Sequence, residues 1–333
     1  VSPTDLQRLP ASVIIPAFNA ADTLEACLEA LHTQTADAGS YEIIVVDDGS
    51  TDGTAEIATR QRATVLRQDH AGAAAARNMG AARARGEILL FTDADCEPLP
   101  DWIEQMLAPF ADPEVSGAKG IYRTRQPSPV ARFAQAEYEE KYDRLAHEGQ
   151  IDFVDTYAAA YRRHVFLAHG GFDPEFLIDE DQEFSFRLAS AGHKLVFVPR
   201  AAVYHRHQAT VWGYVRRKVQ IGYWKVRVHT RHPAKAVRDS YTPWTQKAQL
   251  FLLPLAGAAF VAAALGLVSG WVPGVLILLG LVSIGPLALK SARQGWTVLL
   301  LAPLLVLLRA LALGVGMGLG LMRQGRLLPF ARR

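Results

Sequence analysis

From Ala248 to Leu289 the chain runs for 42 residues without one charged side chain. A crossing of the hydrocarbon core takes about 20 apolar residues, so the run has room for two. Ser269, Gly270 and Pro273 mark a turn inside it and divide it at about 248–268 and 272–289. A third apolar segment, about 296–322, follows Lys290 and Arg293 and is interrupted by Arg309. A simple soluble domain is excluded. An α-helical transmembrane region is predicted over 248–322, ahead of a basic tail at 323–333.

Charge separates the rest. The 333 residues carry 35 Lys+Arg and 33 Asp+Glu, a net of +2. Residues 1–199 hold 17 of the basic and 32 of the acidic side chains, whereas residues 200–333 hold 18 basic residues and one acid, Asp239. Such asymmetry predicts that the second half meets an anionic surface. The basic stretch abuts apolar spans, which points to anionic membrane lipids and away from nucleic acid. Val211, Val215, Val219, Gly222, Tyr223 and Val226 recur at helical spacing, flanked by Arg216, Arg217, Lys218, Lys225 and Arg227. That pattern predicts an amphipathic helix lying in the interface, within a basic segment 206–247.

The opening residues, VSPTDLQRLP, lack the basic and apolar regions of a signal peptide, so the acidic half is expected to stay in the cytoplasm. The expectation is a multi-pass plasma-membrane protein. Lys290 and Arg293 place the second loop inside as well. The third segment breaks this pattern, because a single crossing would put Arg323, Arg326, Arg332 and Arg333 outside. A re-entrant hairpin would keep them inside, but halves of about 13 residues are too short to cross. One long tilted span is expected, with Arg309 as a mid-span charge that is either functional or snorkels. Two cysteines, Cys27 and Cys96, cannot make a disulfide framework.

Residues 11–122 alternate apolar strands with helical patterns. SVIIPA (12–17), YEIIVVDD (41–48), ATVLR (63–67) and EILLFTDAD (87–95) read as strands. Asp22 and Glu25 suggest a capping box opening a helix to about Leu31, and a second helix starts near Asp52. GAAAARNMGAARARG (72–86) reads as a helix closed by Gly86. This is an α/β pattern, a mostly parallel sheet with helices on both faces. Ligands of such sheets bind beyond the carboxyl ends of the strands, where acidic clusters recur here. Further on, helices are expected over about 129–147 and 179–191, with a strand at 194–199.

Three acidic clusters carry the candidate chemistry. Asp47 and Asp48 end the second strand, where a carboxylate can accept from a base or ribose; a plain turn would use the same residues. Asp93 and Asp95 in TDADC (92–96) lie two apart and point the same way in an extended segment. Such a pair suits a divalent cation held mainly by phosphate oxygens. Asp179, Glu180, Asp181 and Glu183 crowd a helix start, where like charges raise a carboxyl pKa toward general-base duty, or merely complement the dipole. Arg77, Asn78, His205 and His207 are candidate phosphate partners.

Together these stretches resemble family-2 glycosyltransferases, inverting enzymes of the GT-A fold. The resemblance covers about 11–205 in order: SVIIPAFN (12–19), VVDDGSTDGT (45–54), GAAAARNMGAARARGEILLFTDAD (72–95), GGFDPEFLIDEDQEFSFRL (170–188) and VPRAAVYH (198–205). It implies a catalytic domain at 11–205 with Pro16, Ala17, Phe18, Asp48, Arg77 and Asp93 on the nucleotide sugar. Asp95 would hold Mn2+ or Mg2+, with His205 beside it. Asp181 would be the catalytic base with Glu180 beside it, and Gly170, Gly171 and Phe172 would face the acceptor. The implied reaction passes a sugar from a UDP- or GDP-sugar to a hydroxyl of a lipid or lipid-linked acceptor at the cytoplasmic membrane face.

Processive members carry a QxxRW motif; QIGYW (220–224) lacks its Arg, so transfer of one or a few sugars is expected. TDADCEPLPDW (92–102) departs from the usual polyprenyl-phosphate hexose synthases without removing such an acceptor as an alternative. A nucleotidyltransferase would want a Gly-rich phosphate loop with a Lys after the first strand, and PAFNAADT (16–23) has neither. A non-catalytic membrane scaffold would tolerate degenerate acidic motifs, and these are intact.

Overall fold

The computed structural model describes residues 9–325. The chain proceeds through β1 (Ala11–Ala17), α1 (Leu24–His32), β2 (Tyr41–Asp47), α2 (Thr54–Arg60), β3 (Thr64–Arg67), α3 (Ala73–Arg83) and β4 (Ile88–Phe91). It continues through β5 (Cys96–Pro98), α4 (Trp102–Leu107), β6 (Val115–Arg123), α5 (Pro129–Leu145), β7 (Ala159–Arg162), α6 (Arg163–Ala168), α7 (Glu180–Ser190) and β8 (Lys194–His205). The helices α8 (Val211–Arg231), α9 (Pro233–Val237), α10 (Trp244–Ala264), α11 (Trp271–Ser283), α12 (Gly285–Gln294) and α13 (Trp296–Gly325) complete it. Two compact units result: Val1–Arg125 with Leu145–Arg206, and Gln126–Arg144 with His207–Arg333.

The first unit is built on an eight-stranded sheet in the order β3-β2-β1-β4-β7-β6-β8-β5. The strands β3, β2, β1 and β4 are parallel, β7 runs against both β4 and β6, and β5 runs against β8. The central strands are continuous apolar runs because helices cover both faces. Val13, Ile14, Ile15, Leu89, Leu90 and Phe91 are fully buried. Parallel order puts the carboxyl ends of β1, β2 and β4 together, and their loops carry Phe18, Asp48, Asp93 and Asp95.

Two local readings are corrected. Asp22 does not cap α1: Thr23 is the N-cap with no side-chain bond, and Glu25 turns instead to Arg60 and Gln61. Gly86 does not close α3, which ends at Arg83 with extended Ala84 as its C-cap. A Cβ at Gly86 would stand 2.3 Å from the Ala11 carbonyl carbon and 2.4 Å from the Ser12 nitrogen. The glycine is needed where the chain passes against β1, and its N–H donates to Ser12 Oγ at 2.8 Å.

The second unit is helical. Among its described residues, α10 and α13 are long and apolar enough to cross a membrane, and α11 with α12, bent by 48°, adds a third candidate if the pair is one span. The helix α5 lies inside the 11–205 stretch of sequence, yet it packs here. Val130, Phe133, Ala134 and Ala136 meet Tyr214, Leu287, Val298, Ala302, Leu305 and Val306 in one buried cluster. Its acids are used up inside the unit: Glu137 by Arg309 (2.6 Å), Lys218 (2.9 Å) and Tyr214 (3.0 Å), Glu139 by Gln294 (2.7 Å), and Asp143 by Lys290. Arg309 is buried, and its second nitrogen donates to Gln249 Oε1 at 2.5 Å, so it neither snorkels nor meets lipid. The tail beyond Gly325, with Arg326, Arg332 and Arg333, lies outside the described residues, as does the opening VSPTDLQR.

Candidate active site

Beyond β1 the chain turns through Phe18 and Asn19, the latter left-handed at φ 48°. Asn19 is tied to the next loop: its N–H donates to Ser50 Oγ at 2.9 Å, and its Oδ1 accepts from Thr51 N at 2.9 Å. Phe18 is 46% exposed, large for a phenyl ring, and stacks on His70 with centroids 4.1 Å apart. Pro16 and Ala17 are the last residues of β1. An exposed aromatic pair suits a flat base. His70 was not singled out in the sequence, because nothing local links it to Phe18.

Asp48 is buried and organises the loop before α3. Its carboxylate accepts from Ala71 N and Gly72 N, both at 2.8 Å, and from Gln68 Nε2 at 2.6 Å, and His70 Nδ1 stands 2.9 Å away. A carboxylate has about four acceptor sites, so these neighbours use most of its capacity. Asp48 thereby places His70 under Phe18.

Arg77 is the pivot. It projects from α3, is 4% exposed, and holds Asp93 Oδ1 at 2.6 Å with one terminal nitrogen and Glu180 Oε1 at 2.7 Å with the other. Burial alone would weaken its charge, but Asp93 and Glu180 outweigh burial and hold its pKa above the ordinary arginine value. The guanidinium therefore joins the acid of the β4 loop to the start of α7. Asn78, one residue on, clamps the next loop from both sides, with Nδ2 on Phe172 O at 2.7 Å and Oδ1 accepting from Phe172 N at 2.9 Å.

Asp181 follows Glu180 in the first turn of α7, after Asp179 in left-handed backbone at φ 65°. Its carboxylate accepts from Gln182 N at 2.8 Å. Desolvation, then Glu180, Asp155 and Asp179, push its carboxyl well above the usual range, against the pull of Arg77. A carboxylate so crowded has raised affinity for a proton, which is what a general base requires. Nearby lies a group that no motif marks. Lys119, fully buried in β6, pairs with Asp155 and donates to Tyr157 Oη at 3.1 Å. Burial pulls its ammonium down, with Asp155 opposing. A lysine inside SGAKGIYR carries no motif, and only the pairing of β6 with β7 brings it to the acids.

Asp95 and His205 meet across the β5–β8 pair, with carboxylate oxygen and Nε2 3.5 Å apart. The ligand atoms of Asp95, Cys96 and His205 lie within 4.8 Å of one another and could hold a metal ion. The donor chemistry favours a subset. Burial, then Asp93 and Asp95, push the Cys96 thiol well above its usual value, and Mn2+ and Mg2+ prefer oxygen and imidazole donors to a thiol. A carboxylate and an imidazole remain, and they fit Mn2+ or Mg2+ completed by phosphate oxygens.

Phe172 is a departure. Its ring is fully buried in a cluster with Phe91, Tyr161, Phe166 and Phe184, so it belongs to the core and faces no acceptor. Arg187 pins the same loop by donating to His169 O and to Gly171 O. His207 belongs to the second unit, where its Nε2 lies 3.1 Å from Gln135 Oε1.

The profile of Glycosyl transferase family 2 matches residues 12–170, the stretch that supplies Phe18, Asp48, Arg77, Asp93 and Asp95. Glycosyltransferase AglE of Haloferax volcanii is 30% identical over 199 residues, 56% of this chain and 63% of that protein. The pre-mycofactocin glycosyltransferase of Mycobacterium tuberculosis is 28% identical over 234 residues, 67% of this chain and 48% of that protein. The chain thus spans between about half and just under two thirds of the length of these relatives. The solved mannosyltransferase PcManGT from Pyrobaculum calidifontis, in complex with GDP-Man and Mn2+, superposes with a TM-score of 0.61 at 24% identity, covering 93% of this chain and 89% of that one. Residues 12–170 thus match Glycosyl transferase family 2 on a GT-A-like fold, and helices apolar enough to span a membrane follow.

Proposed function

We propose that this chain is an inverting, non-processive glycosyltransferase that moves a sugar from a UDP- or GDP-sugar to a hydroxyl of a lipid or lipid-linked acceptor at the cytoplasmic membrane face. One observation carries the reading: buried Arg77 binds Asp93 and Glu180 together. Asp93 neighbours Asp95 and Glu180 neighbours Asp181, so donor-side and acceptor-side acids are fixed around a single cation.

In this mechanism the base lies against Phe18 over the floor of Pro16 and Ala17, in the loop that Asp48 holds. Asp93 meets the ribose. Asp95 and His205 would hold the divalent cation, which when bound supplies charge neutralisation to the departing diphosphate. Asp181 takes the proton of the acceptor hydroxyl. The freed oxygen pair attacks the anomeric carbon from the face opposite the diphosphate, and the bond to the diphosphate breaks with its electrons. Configuration inverts, the proton stays on Asp181, and Glu180 keeps Arg77 fixed behind it. Catalysis is by positioning and fixed charge, with no covalent enzyme intermediate.

The acids around Asp181 favour a neutral hydroxyl over an already ionised polyprenyl phosphate, which they would repel. The GDP-Man and Mn2+ bound to the Pyrobaculum calidifontis mannosyltransferase make that pair the first to try. Asp181→Asn tests the assignment: nucleotide-sugar binding should persist while transfer is lost. Near-parental transfer by that variant would remove Asp181 from the role of base.

A further inference from the structure

The long apolar helix α13 does not sit as a lone span. Its exposed side runs without a polar residue through Leu300, Leu304, Leu307, Leu311, Val315, Leu319 and Met322. Its opposite side, through Val298, Ala302, Leu305, Arg309, Leu313, Gly316 and Gly320, is buried. Two of the neighbours that bury it, α5 and α8, are charged helices; α12 and α10 also meet it, the latter through the Arg309–Gln249 bond. Along the N-terminal half lies α5, with Glu137, Glu139, Glu140 and Asp143. Along the C-terminal half lies α8, in backbone contact: a Cβ at Gly316 would stand 2.1 Å from Val219 O, one at Gly222 2.4 Å from Leu313 O, and one at Gly320 2.7 Å from Tyr223 O. The outer face of α8 carries Arg216, Arg217, Gln220 and Arg231, all exposed.

This packing decides the orientation. Helices in contact lie about 8–10 Å apart. If α13 stood across the bilayer, α5 and α8 would be carried into the hydrocarbon beside it, with their charged faces strung along its depth. Charges there are tolerated only when they face a bundle interior or a water-filled cavity, and those of α8 face outward. The hairpin of α10 and α11 is different. Phe251, Leu255, Phe260, Val261, Val275, Ile277, Leu278 and Val282 are exposed, with no charge between Ala248 and Leu289.

We infer that α13 does not cross the membrane but lies along its surface, its leucine face in the acyl chains and the charged outer face of α8 held outside the hydrocarbon, while α10 and α11–α12 cross and return. The inference rests on the reading that the chain sits in a membrane. It removes the conflict over the C-terminal arginines, because two crossings leave Arg293 and Arg323 on one side, as the positive-inside rule prefers.

Single-cysteine reporters test it in the full chain, since Cys27 and Cys96 are buried. Ser269→Cys, Arg293→Cys and Arg326→Cys are labelled with a membrane-impermeant maleimide in sealed right-side-out and inside-out vesicles. Arg293→Cys and Arg326→Cys should label in the same vesicles, and Ser269→Cys in the opposite ones. Labelling of Arg326→Cys together with Ser269→Cys would show that α13 crosses and overturn the inference. Labelling of all three in both preparations, with the chain stripped by carbonate, would remove the membrane reading itself. A C-terminal epitope on the unsubstituted chain, scored for protease protection in the same vesicles, repeats the side assignment without a substitution.

Discussion

Among the described residues each unit buries one arginine, Arg77 in the first and Arg309 in the second, and each binds a buried glutamate through a terminal nitrogen at 2.6–2.7 Å. They differ in the rest of the surroundings. Arg77 also reaches Asp93, whose side chain is 28% exposed, and one partner lies beside a carboxyl whose pKa is driven up. Arg309 is closed in by Glu137 and Gln249, with Lys218 and Tyr214 completing the shell of Glu137. Burial would raise the Glu137 carboxyl, but Lys218 and Arg309 override it and hold it at about 2. The first arrangement leaves an acid poised to accept a proton, whereas the second satisfies every charge. A buried ion pair is thus no sign of function by itself; what matters is whether an unsatisfied partner faces a ligand.

The contrast can be broken at either arginine. The largest expected effect is at the poised acid: Asp181→Asn should lower transfer by about 10²–10⁴-fold, the range of general-base catalysis, with the thermal midpoint unchanged. The pH profile sharpens this prediction. The base works only when deprotonated, so transfer falls as pH drops through the Asp181 pKa. That pKa is raised, so the acid limb should lie above the ordinary aspartate value of about 3.9. A limb at the ordinary value would separate Asp181 from the proton transfer.

The next effect is on stability. Arg309→Met leaves Glu137 charged and buried, and such breakage costs about 3–5 kcal/mol, measured as a lower unfolding midpoint in detergent. Adding Glu137→Gln should recover part of that loss, and the transfer rate per folded molecule should not move. A rate loss in the stable double variant would mean that the Arg309 cage acts on catalysis. Smallest is Phe18→Ala, which should weaken nucleotide-sugar binding by about 1–3 kcal/mol, the range for a base on an aromatic ring, with little change in turnover once saturated.

Much of this was legible in the sequence, and the boundary is physical. The strands β1, β2 and β4 announce themselves because burial on both faces demands unbroken apolar runs; Asp48, Asp93 and Asp95 sit just past such strands, and Asp181 sits where a helix begins. Pairings between distant segments leave no local trace. Nothing near His70 indicates that it stacks under Phe18. Nothing in SGAKGIYR marks Lys119 as the buried partner of Asp155. Arg309 stands out as a charge in an apolar segment, but its partner lies 172 residues earlier in a helix that sequence order assigns to the other unit. Gly86 was legible as a required glycine for the wrong reason: it gives passage against Ala11 and Ser12 and caps no helix.

The central claim is sugar transfer at the acids gathered around Arg77. Its most direct test incubates the detergent-purified chain with UDP- and GDP-sugars, in Mn2+ or EDTA, with and without a membrane lipid extract, and reads the anomeric configuration of any product. One donor should be consumed only with metal, its sugar should appear in the lipid fraction, and an α-linked donor should give a β-linked product. Retention of configuration, or a folded chain that neither turns over nor binds any of these donors with metal present, would contradict it.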